Sequence, residues 1–241
     1  MVASMNLIQR YLGDAEKHRE MLVYGLSALI LSAFYAGAGQ IFAPDFVPGI
    51  GEFTGTATAL ACVLLTRLQN KWCWPLGIVS VVAMGTVFWL AGLIGQAWLH
   101  VLYYFPIQFW GWWNWANGGA NRTELSVSAL NWTERAVWVS AIVLFTLLFG
   151  RVLVAGWDQA IHTYWDASIV AASVIAQFLL SRKKVEAWLL WLLPVNVSAI
   201  LLYATTGLYM FAALYGIFLV NAGYALWQWW RAQAVREPVH V

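Results

Sequence analysis

Charge is scarce in this chain. Asp, Glu, Lys and Arg make up 10% of its 241 residues, while hydrophobic residues make up 62%. That balance excludes an ordinary soluble globule. No charged residue occurs from Trp72 to Asn121 or from Ala187 to Trp230. Each of these stretches is long enough for two membrane crossings at about 20 residues apiece. The formal charge of +2 is too small, and the basic residues too scattered, for a nucleic-acid-binding surface.

Other absences narrow the chemistry. The two cysteines, Cys62 and Cys73, lie in or beside apolar segments and read as small buried hydrophobes, not as a disulfide framework. There is no phosphate-binding Gly-rich loop ending in Lys-Ser/Thr, no HExxH, no cluster of His and Cys, and no Gly-x-Ser-x-Gly elbow. An enzyme is therefore disfavoured, and neither a metal nor a cofactor is called for. No lysine falls inside an apolar run, which excludes a retinal Schiff base. The mixed-charge lead from Met1 to Glu20 has no short apolar core with a small-residue cleavage site, so the first span is expected to be retained.

What is present reads as eight spans, near 22–43, 50–66, 72–94, 97–117, 134–155, 163–181, 187–206 and 208–230. With a cytoplasmic N-terminus, the thirteen basic residues all fall on the cytoplasmic side except Arg151. Both termini are then expected inside. The chain also repeats itself. Leu102-Tyr103, Gly111 and Trp115 recur as Leu214-Tyr215, Gly223 and Trp227 at an offset of 112, and Glu52 and Trp74 correspond to Asp166 and Trp188 at 114.

The expected organisation is a lead and extra helix (1–49), a three-helix repeat (50–117), a connecting helix (118–162), a second repeat (163–230) and a tail (231–241). One helix between two three-helix units makes the duplication parallel, a 3+1+3 bundle. Such repeats are a recurring transporter architecture, in which two related bundles move about a site; a non-transporting scaffold is the alternative from another class.

Seventeen tryptophans divide into groups. Trp98, Trp132, Trp138, Trp157, Trp165, Trp229 and Trp230 lie near span ends and read as interfacial anchors. Trp110, Trp112, Trp113 and Trp115 cannot all face one cavity, although Trp112 and Trp115 share a helix face. Trp72 and Trp74 open the middle helix of the first repeat beside Asn70; Trp188 and Trp191 open that of the second. Gln108, Asn114, Asn196 and Asn221 are amides in apolar helices, serving either interhelical hydrogen bonds or a ligand. Pro106 and Pro194 fall within spans and free backbone carbonyls there. Indoles and amides facing one cavity suit an aromatic, hydroxyl-bearing ligand. Glu52, Asp166 and Glu186 sit near helix ends, poorly placed for an ion relay, so facilitated diffusion is expected.

Trp165-Asp166-Ala167-Ser168, the run Arg182-Lys183-Lys184-Val185-Glu186-Ala187-Trp188-Leu189-Leu190-Trp191 with Asn196, and Gly207-Leu208-Tyr209 with Tyr215 resemble the PnuC-type nicotinamide riboside transporters of bacteria. Gly51-Glu52, Asn70, Gly77 and Gln108-Phe109-Trp110-Gly111-Trp112 match in the first repeat. The resemblance covers about residues 50 to 230. It implies a fold similar to the SWEET sugar transporters, a homotrimer in the bacterial inner membrane, and energy-independent uptake with trapping by a separate kinase.

Related members carry thiamine or riboflavin, which leaves those vitamins as alternative cargoes. The candidate substrate contacts are Asn70, Trp72, Trp74, Tyr103, Gln108, Trp112, Trp188, Trp191, Asn196 and Tyr215. A fixed positive charge on a flat ring suits an indole face without a buried carboxylate. That favours nicotinamide riboside or thiamine over anions.

Overall fold

The computed structural model describes residues 2–42, 49–90, 94–156, 163–205 and 209–234. Among these the chain is helical, with no strand and a single parallel bridge between Ser128 and Lys184. The helices are α1 (Val2–Phe42), α2 (Ile50–Arg67), α3 (Cys73–Leu90), α4 (Ile94–Leu99), α5 (Phe105–Asn117), α6 (Trp132–Gly156), α7 (Thr163–Ser181), α8 (Glu186–Leu190), α9 (Ser198–Thr205) and α10 (Tyr209–Ala234). Two π-helical segments, His100–Tyr104 and Trp191–Val197, join α4 to α5 and α8 to α9 without a break. The second contains Pro194 and the first ends just before Pro106. A proline lacks the N–H that would complete the α-helical ladder, so a wider turn absorbs the mismatch locally.

These helices follow the expected spans, with one extension: α1 begins near the chain start, so the charged lead continues the first span. Trp132–Ala155 and Thr163–Ser181 are long and apolar enough to cross a bilayer by themselves, and Cys73–Val87 and Glu186–Leu201 are shorter apolar helices.

The chain divides into two compact units, Met1–Trp112 and Trp113–Val241. In the first, α2 packs against α1 and α3. Gly55 and Gly51 let α3 approach, their Cα positions lying against Met84 and Val87, and Ser80 donates to the Gly55 carbonyl at 2.9 Å. In the second, α7 lies between α6 and the α8–α9 helix and carries a buried small-residue stripe of Ala167, Ala171, Ala172 and Ala176. Small side chains permit close helix contact where lipid provides no hydrophobic drive to associate. The outer face of α6, including Val143, Leu147 and Val152, is exposed and suited to lipid.

The α2–α3 and α7–α8 turns have the same geometry. Gln69 (φ 58°) and Lys183 (φ 49°) each take the left-handed conformation after a helix. The following N–H returns to a carbonyl five residues earlier, Asn70 to Leu65 and Lys184 to Leu179, each at 3.0 Å. Glycine usually fills this position, because a side chain costs about 1–2 kcal/mol there.

Candidate functional site

In the first unit, Gln108 on α5 is buried with its carboxamide over Gly77 of α3, where a side chain would collide with it. Its Oε1 has no hydrogen-bond partner among the described residues. A buried, unpaired amide oxygen costs about 1–3 kcal/mol, so it is well placed to receive a ligand donor. Trp74 is buried with its ring against Gly111, which fixes the crossing of α3 and α5. Trp72 packs edge-on against His18 of α1, centroids 5.0 Å apart, with its Nε1 buried and unpartnered among the described residues. Asn70 is fully buried and its amide is engaged by protein. Nδ2 donates to the Lys17 carbonyl at 2.8 Å and to Glu20 at 3.1 Å, and Oδ1 accepts from the Trp72 N–H at 3.1 Å. Tyr103 lies in the π segment beside Tyr104, and Trp112 is exposed. An apolar cleft of about 500 Å³ along α3 and α4, lined by Val82, Trp89, Trp98 and Val101 among others, offers little to a sugar.

In the second unit, Trp188 on α8 is buried, and its Nε1 finds no partner among the described residues. Asn196 is buried inside the π segment that Trp191 opens; Trp191 itself is partly exposed, and Tyr215 packs edge-on against Phe218. Trp188 meets Trp229 of α10 edge-to-face at 5.6 Å, and Trp229 meets Trp115 at 5.9 Å. The structure therefore corrects the reading of Trp229 as a lipid anchor: it is 0% exposed, held in an aromatic core. Trp132 and Trp230 are exposed as anchors would be, whereas Trp157 lies outside the described residues. Of the tryptophans closing α5, Trp110, Trp112 and Trp113 are exposed and Trp115 is buried, its Nε1 donating to the Leu180 carbonyl at 3.1 Å. Asn114 likewise serves the protein, donating to the Ser181 carbonyl at 2.8 Å.

Two groups escaped the sequence reading. Lys183 belongs to a basic triplet that reads as solvated, yet it is 1% exposed. Its Nζ sits 4.6 Å from the Trp115 ring centre and 3.5 Å from Glu124 Oε1. Gln228 on α10 has a buried Oε1 without a partner among the described residues. The basic triplet and the polar residue within α10 were the only sequence signals, and neither distinguishes inward from outward. No group of three or more potential metal ligands occurs among the described residues.

A sequence profile of the nicotinamide mononucleotide transporter family matches residues 49–231. The chain belongs to this family. It is thus an integral membrane transport protein and not an enzyme. Among its relatives, the nicotinamide riboside transporter PnuC of Escherichia coli (strain K12) is 26% identical over 204 residues, covering 73% of this chain and 84% of the relative. The riboflavin/roseoflavin transporter RibM of Streptomyces davaonensis is 26% identical over 201 residues, covering 78% and 88%. The crystal structure of the vitamin B3 transporter PnuC shares the fold, with a TM-score of 0.69, 24% identity, and 90% and 93% of the two chains covered.

Proposed function

We propose that this chain carries nicotinamide riboside across the bacterial inner membrane by facilitated diffusion. The observation that carries the reading is a set of buried polar groups with no protein partner among the described residues, Gln108 Oε1 and Trp188 Nε1, on chain segments rich in indoles. An indole face attracts a flat cationic ring, and the unpaired groups await the hydroxyls and carboxamide of a riboside. Trp72, Trp74, Trp112, Trp191, Asn196, Tyr103 and Tyr215 complete the proposed contact set. Asn70 would act through the backbone it fixes.

The names of relatives favour this cargo, since several are nicotinamide riboside transporters. Nicotinamide mononucleotide, after which the family is named, adds a phosphate. The long stretches 72–121 and 187–230 hold no lysine or arginine to receive it, and buried Lys183 is engaged by Glu124 and Trp115. RibM keeps riboflavin as the second reading, because an uncharged flat ring would also stack on indoles.

The proposed working form is a homotrimer of 3+1+3 parallel-repeat bundles with an extra first helix, both termini cytoplasmic, moving its cargo by alternating access. Glu52, Asp166 and Glu186 all lie in first helical turns, and Glu186 is engaged by Arg135. No ion relay is therefore invoked, and a separate kinase would trap the nucleoside inside. Calorimetric binding by the purified chain tests the cargo. Nicotinamide riboside should bind at least about tenfold more tightly than the mononucleotide, thiamine or riboflavin. Tighter binding of riboflavin would transfer the assignment to it.

A further inference from the structure

Lys183 occupies a position that folding alone would give to glycine. Its φ is 49°, and it caps α7 by donating its N–H to the Leu180 carbonyl at 3.0 Å. A lysine there brings both left-handed strain and the desolvation of a cation, since the residue is 1% exposed. The side chain must then contribute something a glycine could not.

Its ammonium lies over Trp115 at 4.6 Å and near Glu124 at 3.5 Å. Trp115 is fixed at its own N–H by the Leu180 carbonyl and meets Trp229, which is in turn crossed by Trp188 at 86°. These four residues are all almost fully buried, so the rings have little room to tilt independently. The backbone at and just after Lys183 is also tied down: Ser128 donates to the Lys183 carbonyl at 3.1 Å, and Val185 donates to the Ser128 carbonyl at 3.0 Å.

We propose that Lys183, held by Glu124, is a positioning residue that sets the orientation of the Trp188 indole through Trp115 and Trp229. It touches no cargo itself. The consequence rests on the proposed reading of Trp188 as a cargo contact: loss of the cation should loosen ligand binding only while Trp188 is there to receive the effect.

A double-mutant cycle on nicotinamide riboside affinity, measured with the purified full chain, tests this. Lys183→Met should weaken binding about fivefold in the parent and less than about twofold in a Trp188→Phe background. Equal losses from Lys183→Met in both backgrounds, the signature of general destabilisation, would overturn the proposal. If Lys183→Met does not fold, Glu124→Gln at the partly exposed carboxylate replaces it in the cycle, and unchanged affinity there would equally overturn it. A parent that binds none of the nucleoside would refute the proposed function itself, and this inference with it.

Discussion

The carboxylate of Glu186 accepts two hydrogen bonds from the Arg135 guanidinium, Nη2 at 2.9 Å and Nε at 3.1 Å. The Leu130 N–H also points to both of its oxygens at 3.1 Å. The first turn of α8 is thereby tied to the start of α6. Truncation leaves a partly buried guanidinium and a backbone donor without their acceptor, which costs about 1–3 kcal/mol. Glu186→Ala should accordingly lower the thermal unfolding midpoint in detergent, whereas Glu16→Ala, in an exposed i,i+3 pair with Arg19, should leave it nearly unchanged.

Gly111→Ala should destabilise the protein despite improving helix propensity. Alanine in place of glycine in a helix ordinarily gains about 1 kcal/mol, but here the added methyl would enter the indole of buried Trp74. A net loss of about 1–2 kcal/mol follows from overpacking. Gly216→Ala, with nothing among the described residues within 4 Å of the new carbon, should be neutral or stabilising by the same unfolding measurement.

The helices were legible in the sequence because lipid imposes a simple rule: an apolar run must satisfy its backbone internally. Hence Thr163–Ser181 coincides with its expected span, and the prolines marked where regular helix gives way to π turns. Which way a residue faces was less legible, since neither α6 nor α3 has a strongly one-sided distribution of apolar residues. Trp229 near a span end has the composition of an anchor, yet Trp115 and Trp188 enclose it. Lys183 was invisible for the converse reason. A basic residue in a turn reads as solvated, and only the folded chain supplies the indole and carboxylate that bury it. Gln108 and Asn196 were legible as costly amides; that Asn70 and Asn114 are engaged by neighbouring carbonyls required coordinates.

Asn196→Ala, Gln108→Ala and Trp188→Ala should each weaken nicotinamide riboside binding at least about tenfold, equivalent to about 1.4 kcal/mol. Gly77→Ala provides an independent check, because the new methyl displaces the Gln108 carboxamide without removing it. It should weaken binding in the parent and have little further effect in Gln108→Ala. Well-folded Asn196→Ala and Gln108→Ala proteins that bind like the parent would reassign these amides to interhelical packing.

Both termini should be shielded from outside. Cysteines introduced at Ala3 and Val239 in a background lacking Cys62 and Cys73 should resist an impermeant maleimide in intact cells and react after permeabilisation. Strong labelling of either in intact cells would contradict the eight-span topology.

The most direct test is passive flux in proteoliposomes with no ion gradient. Purified protein should equilibrate radiolabelled nicotinamide riboside until the inner and outer concentrations match, with unlabelled nucleoside inside accelerating entry by exchange and the mononucleotide leaving it unaffected. Failure to admit the nucleoside, or accumulation above the outer concentration only when a proton or sodium gradient is imposed, would contradict the account.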